Sequence, residues 1–244
     1  MARQAAALGP ILERECGAAT LRILDCACGI GTQALGLARR GHRLTGCDLS
    51  PAAVARAGSE ARQRGLDLPF CVADMRDLSP VLEGEFDAVV CLDNGLPHLD
   101  GPVQLLEAAI QMRRKLRPGG LFMASIRDYD RLVLGKPIVQ GPAFHSDEGR
   151  RRIVHQVWDW IDDRRYTFHI YITRQTPDGW ESHHYASTYR AVLRDELAAV
   201  LTAAGFARVR WLAPPESGFY QPLVLATAPC PPPPGSLQSL LGHR

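Results

Sequence analysis

Between residues 21 and 126 the chain repeats one pattern: a short run of apolar residues, a turn, and in most repeats a longer stretch with helical spacing. The runs LRILDC (21 to 26), HRLTGCDL (42 to 49), LPFCVAD (68 to 74), FDAVVCLD (86 to 93) and LFMASI (121 to 126) are separated by helical patterns at 32 to 40, 51 to 64 and 102 to 116. Runs apolar along their whole length belong to strands covered on both faces, the condition of a parallel sheet with crossover helices. Right-handed crossovers give a doubly wound sheet whose ligand crevice opens at the carboxyl ends of the strands. Functional residues are therefore expected just after each strand.

The helix over 102 to 116 is expected to stop at Arg117-Pro118-Gly119-Gly120, with glycine supplying the positive φ of a C-cap. From 151 to 190 the pattern lengthens into IVHQVWDWID, YTFHIYITRQ and WESHHYASTYR, joined by turn signals at 162 to 164 and 176 to 179. These predict a three-stranded antiparallel insertion, placed about 128 to 190, rich in aromatics that make a half-buried sheet. A helix at 194 to 204 and strands near 207 to 212 and 222 to 227 then close the sheet with an antiparallel hairpin. The reading is one domain over 1 to 228, with a Pro-rich tail, 229 to 244, expected to be disordered.

Composition excludes several classes. Lys plus Arg exceed Asp plus Glu by only 28 to 26, and the basic runs 113 to 115 and 150 to 152 contain no interleaved aromatics, so no nucleic-acid partner is expected. No stretch approaches the roughly 18 apolar residues of a membrane helix. The N-terminus lacks a signal-peptide block, so the expected location is cytoplasmic. Of the 7 cysteines, those at 26, 28, 47, 71 and 91 fall within or beside buried strands and read as reduced core thiols. Cys26-x-Cys28 alone also reads as a metal half-site, but no second pair has suitable spacing, so no metal is expected.

After the first run comes Asp25-Cys-Ala27-Cys-Gly29-Ile-Gly31-Thr, a small-residue turn opening a helix, which lets a ligand approach the backbone. The unpaired N–H groups of such a helix start suit a phosphate and equally the carboxylate of S-adenosyl-L-methionine. Asp48, at the end of the second run, sits where a carboxylate can accept both ribose hydroxyls of an adenosine. Gly29-x-Gly31-x-x-Ala34 also fits a loose dinucleotide fingerprint. Against a nicotinamide stand the carboxylate of Asp25 ahead of the turn, the lack of a hydride-transfer motif, and Asp74-Met75, which suits an adenine clamp: acid on the exocyclic amine, thioether on the ring. Each residue also has a structural reading, Asp48 as a helix N-cap with Ser50-Pro51 and Met75 as core filler.

The order DxAxGxG, Asp after strand two, Ala-Asp after strand three and Arg-Pro-Gly-Gly before strand five resembles the class I S-adenosyl-L-methionine-dependent methyltransferases over roughly residues 20 to 127. The resemblance implies a Rossmann-like α/β fold, a seven-stranded mostly parallel sheet with a reversed last strand, and S-adenosyl-L-homocysteine as product. Two further segments, Cys91-Leu-Asp93-Asn94-Gly-Leu-Pro-His98-Leu and Ser125-Ile-Arg127-Asp-Tyr129-Asp130, together with the insertion, resemble the glycine N-methyltransferase and glycine-sarcosine N-methyltransferase group to about residue 227. That likeness implies Asn94 and Arg127 on the carboxylate of a small acceptor, His98 by the donor's methionine end, Arg3 on the donor's carboxylate, and Leu49 and Leu92 beside the donor. Tyr189 is the candidate from the aromatic strands. Members of that group close over both ligands with an N-terminal aromatic segment; this chain begins two residues before Arg3, so that lid is expected to be missing or supplied by the insertion or another subunit.

The chemistry is coherent. A guanidinium holds a carboxylate by a two-point fork and so aligns an attached amine with an electrophilic methyl group, without a covalent nucleophile. Arg127 also reads as a local ion pair with Asp128 and Asp130, Asn94 as a cap of the helix after it, and His98 beside Pro97 as a structural histidine. His183-His184 does not read as a metal site, since adjacent strand residues face opposite ways. The alternatives are a methyltransferase for a larger natural-product acceptor and a donor-binding protein without turnover. The edge strands of the insertion offer a pairing surface for a homo-oligomer.

Overall fold

The structure, a computed structural model, describes residues 1–81, 85–147 and 149–230. The strands read from the sequence are present as β1 (Arg22–Cys26), β2 (Arg43–Asp48), β3 (Phe70–Val72), β4 (Phe86–Cys91) and β5 (Leu116–Ser125), with β10 (Ala207–Leu212) and β11 (Leu223–Thr227) completing one seven-stranded sheet. Its order is β10-β11-β5-β4-β1-β2-β3. β1 runs parallel to β2 and β4, and β11 is the reversed strand, antiparallel to both β5 and β10. The chain builds outward from β1 through β2 to β3, then returns to the other side of β1 with β4. That reversal puts the topological switch, and hence the crevice, at the ends of β1 and β4.

Strand alternation divides the core in two. Val89 and Cys91 of β4 and Phe122 and Ala124 of β5 face one cluster, with Leu105 and Met112 of α4 (Pro102–Lys115) and Leu197 and Leu201 of α6 (Arg194–Ala203). Ala88, Val90, Leu121 and Met123 face the other, with Leu8 and Leu12 of α1 (Ala2–Cys16) and Ala34 and Leu37 of α2 (Thr32–Ala38). α1 has no counterpart in the sequence reading, because Gly9-Pro10 in its middle reads as a breaker. A Cβ on Gly36 would come within 2.9 Å of Ala5 Cβ, so this glycine lets α1 and α2 approach closely. α3 (Pro51–Gln63) starts with Ser50 Oγ accepting the Ala53 N–H at 3.2 Å and with Pro51 in its first turn.

The end of α4 differs from the expected glycine cap. The helix stops at Lys115 because Leu116 is already extended, with φ −85° and ψ 139°. Arg117–Gly120 instead forms an irregularity at the start of β5, where the β4–β5 register jumps from Phe86↔Leu116 to Ala88↔Leu121. Gly119 supplies its positive φ there, at 74°.

After α5 (Tyr129–Gly135) comes an antiparallel sheet of four strands, β6 (Val139–Asp147), β7 (Arg150–Trp160), β8 (Arg165–Thr176) and β9 (Gly179–Arg190). The three expected strands are β7 to β9; β6 precedes them as an additional edge. The inner ends of β7 and β8 bury Trp158, Tyr166 and Phe168 against the first cluster, with Trp158 stacked on Tyr166 at 4.7 Å and 6°. Aromatic stacking thus fastens the second sheet over the carboxyl end of the first. The short helix α7 (Pro214–Ser217) lies between β10 and β11. No helix among the described residues is long and apolar enough to cross a membrane. Most of the Pro-rich tail, 231–244, lies outside the described residues.

Candidate active site

A cavity of about 670 Å³ opens at the switch point, within the usual size of small-molecule sites. Ala27, Gly29, Asp48, Leu49, Asp74, Met75, Leu92 and His98, all expected beside a donor, line it. The turn after β1 is bent through positive φ at Ala27 (61°), Gly29 (54°) and Gly31 (83°). A Cβ on Gly29 would meet nothing within 4 Å, and since Gly29 lines the cavity that space is where a ligand approaches the backbone. At Gly31 a Cβ would press on Ala57 and Leu35 at 3.3 Å, so Gly31 serves packing against α3 and starts α2.

Asp48 ties the two flanking loops together. Its Oδ2 accepts the Gly29 N–H at 2.8 Å and its Oδ1 the Ser50 N–H at 2.9 Å, while Ser50, not Asp48, caps α3. Each carboxylate oxygen keeps acceptor capacity for a hydroxyl. Asp74 is engaged by Arg76, whose backbone N–H, Nε and Nη2 reach its carboxylate at 2.8, 3.0 and 2.6 Å. That guanidinium holds Asp74 below the ordinary carboxylate range. An adenine amine would therefore share Asp74 with Arg76.

Asp25 is buried beneath the turn, outside the cavity wall, and its Oδ2 has no hydrogen-bond partner among the described residues. Burial, with the like charges of Asp93 and Asp48 added, raises its pKa to about 8. Between the ordinary Asp value and about 8, the folded chain holds a proton that the unfolded chain has released, so native stability falls as pH rises through that window. Asp25→Asn removes this dependence. The expected result by calorimetry is a rise in Tm that is larger at pH 8 than at pH 5 by on the order of 10 °C, corresponding to ~4 kcal/mol for a chain of this size. Equal shifts at both pH values would show that the carboxyl is not the source.

Arg3 is exposed on the first turn of α1 and does not line the cavity. Its neighbour Gln4 reaches Asp93 Oδ1 at 3.4 Å.

At the acceptor side, Asn94 is 3% exposed and does not cap the helix after it; the short 3-10 turn Leu96–His98 is preceded by Gly95 in that role. Asn94 Oδ1 accepts the Arg127 backbone N–H at 3.2 Å and the Tyr129 hydroxyl at 3.0 Å. The N–H fixes the amide's orientation, since it can only donate. The single proton of Tyr129 goes to Asn94, so Tyr166, 2.8 Å away, donates to Tyr129. Nδ2 of Asn94 is left without a partner among the described residues.

Arg127 is not paired with its acidic neighbours. Asp130 takes Arg194 Nε at 2.8 Å, and Asp128 pairs with the same guanidinium. The Arg127 guanidinium instead lies 4.4 Å from the Trp158 ring centre and 4.8 Å from that of Phe168, with no ion-pair partner among the described residues. Tyr189 joins this chamber, its ring 5.6 Å from Phe168 and 4.3 Å from His98, which links the chamber to the cavity. Burial raises the pKa of Tyr166 to about 12 and lifts Tyr189 as well, so both hydroxyls stay protonated; desolvation lowers that of His98, which stays neutral.

Sequence reasoning missed the network behind this wall. Asp93 Oδ1 accepts the Tyr220 hydroxyl at 2.5 Å, and its Oδ2 accepts Gln33 Nε2. Its N–H donates to Ser125 Oγ at 2.8 Å, which in turn donates to Gln221. Asp93 and Asn94 take consecutive positive φ values of 52° and 70°, a conformation these two residue types tolerate best after glycine. The Asp-Asn-Gly sequence after β4 was the available signal for this tight turn.

Residues 23–120 match the family described as "Methyltransferase domain". The chain is 33% identical over 151 residues to the glycine/sarcosine N-methyltransferase of Parasynechococcus marenigrum (strain WH8102), a match covering 56% of this chain and 53% of that one. It is also 33% identical over 106 residues to the ubiquinone biosynthesis O-methyltransferase of Xanthomonas axonopodis pv. citri (strain 306), covering 43% of each. The matches thus span about half the length of these curated relatives. Among solved structures, a SAM-bound amino pentose methyltransferase of Micromonospora echinaspora superposes with a TM-score of 0.73 at 23% identity, covering 93% of this chain and 91% of that one, which shows a shared fold.

Proposed function

We propose that a chain with a methyltransferase domain match, this switch-point cavity and this guanidinium chamber is an S-adenosyl-L-methionine-dependent methyltransferase acting on the amine of a small carboxylate-bearing acceptor of the glycine or sarcosine kind. The observation that carries the acceptor class is Arg127, a guanidinium with no acid partner among the described residues, set against Trp158 and Phe168. S-adenosyl-L-methionine supplies an electrophilic sulfonium methyl group, and its transfer leaves S-adenosyl-L-homocysteine.

The protein's own contribution is placement. Gly29 keeps the turn open, Asp48 presents acceptors for ribose hydroxyls, and Met75 and Leu49 give apolar surface for the base. The Arg127 guanidinium, packed on two rings and without an acid partner among the described residues, suits the two-point grip of a carboxylate, and Asn94 fixes the Arg127 backbone while keeping one N–H pair unassigned. Neutral His98 lies at the junction between the donor cavity and the acceptor side, beside Tyr189. Such alignment supplies several kcal/mol of barrier lowering without a covalent intermediate.

A second reading has its own support. The chamber is walled by Trp158, Phe168 and Tyr189, rings that also cover the flat face of a sugar or a larger natural product, and the amino pentose enzyme shares the fold over nearly the whole chain. The deciding experiment is methyl transfer from isotopically labelled donor to glycine, sarcosine, other amino acids and amino sugars. Transfer to glycine or sarcosine supports the first reading; transfer confined to acceptors without a carboxylate removes Arg127 from the proposed role. Donor binding with no transfer to any of them favours a binding protein without turnover.

A further inference from the structure

The cavity follows the sheet order. At one end lie Ala73, Asp74 and Met75 after β3; Asp48 and Leu49 follow after β2, then the turn after β1, and finally Leu92, Asp93 and Gly95 after β4. With adenine at the β3 end and ribose at Asp48, the amino-acid tail of the donor falls at the β4 end. The lining residues carry one cationic side chain, Arg76, at the far end and committed to Asp74. Two acids of the β4–α4 connection line the cavity, Asp93 in the turn directly after β4 and Asp100 just ahead of α4.

Taking the donor cavity as assigned above, we propose that Asp93 recognises the α-ammonium group of the donor's methionine tail. Three side chains from separate elements fix its carboxylate: Gln4 of α1, Gln33 of α2 and Tyr220 of the segment before β11. A carboxylate has roughly four acceptor positions, so one remains for a ligand donor on the cavity side. The left-handed turn at Asp93 and Asn94 makes that presentation a property of the backbone as well as of the rotamer.

The test is calorimetry on the full chain with two ligands, S-adenosyl-L-homocysteine and 5′-methylthioadenosine, which share base, ribose and sulfur but differ in the amino-acid tail. Asp93→Asn is expected to weaken the first about 30-fold, a charge-assisted hydrogen bond's worth, and to leave the second within about two-fold. Tyr220→Phe keeps the carboxylate but frees one of its anchors; it is expected to weaken the first about three-fold and the second not at all. Equal weakening of both ligands by Asp93→Asn, or no weakening of either, overturns the assignment. A wild-type chain that binds neither ligand overturns the donor reading of the cavity itself, and this inference with it.

Discussion

Asp48→Ala is expected to raise the dissociation constant for S-adenosyl-L-homocysteine about 100-fold, the equivalent of ~3 kcal/mol. Two losses combine. The ribose loses its carboxylate acceptor, and the N–H groups of Gly29 and Ser50, now 2.8 and 2.9 Å from the Asp48 oxygens, lose the group that holds the glycine turn against the start of α3. Asp48→Asn separates them, because an amide keeps one acceptor oxygen and can satisfy one of the two loops; its affinity should lie between those of wild type and the Ala variant. Calorimetric titration at fixed pH and salt decides the matter. Unchanged affinity in the Ala variant would take Asp48 out of ribose recognition and leave it a loop tie.

Arg127→Lys is expected to raise the acceptor KM about 100-fold while leaving donor affinity within about two-fold, since a point charge cannot reproduce a planar two-point fork. The substitution also removes a flat cation from the Trp158 and Phe168 rings, now 4.4 and 4.8 Å away, and each such contact contributes about 0.5–2 kcal/mol. A purely structural effect would lower Tm and impair every acceptor alike. The discriminating comparison is therefore glycine against glycinamide: loss confined to the carboxylate-bearing amine supports the assignment, and equal loss on both, or an equal effect on the donor, sinks it.

What was legible in the sequence follows from range. The sheet could be read because each buried parallel strand is apolar along its own length, and the glycine turn because Gly29 and Gly31 sit where backbone and packing demand them. Neighbour-to-neighbour signals also misled. Arg127 stands beside Asp128 and Asp130 in sequence, yet those acids go to Arg194, on α6. Gly9-Pro10 concealed α1, and β6 was missed because its exposed residues show no apolar alternation. The Asp93 network joins positions 4, 33, 93 and 220, which no local pattern relates. Of the residues expected beside the donor, three do not line the cavity: Arg3 is exposed on α1, Asp25 is buried beneath the turn, and Gly31 packs against α3.

The placement of the second sheet divides inheritance from invention. On the proposed reading, donor contacts come from turns at the ends of strands that are also the structural core, so changes there endanger folding itself. The aromatic roof comes from one uninterrupted stretch, 139–190, that departs after α5 and rejoins before α6. On the same reading, acceptor choice is divided between Asn94 and Arg127, which belong to the turns after β4 and β5, and this aromatic roof, which can drift, lengthen or be exchanged while the core turns stay fixed. Grafting that stretch from a relative with another acceptor, with Asn94 and Arg127 kept, separates the roof's share of acceptor choice from theirs.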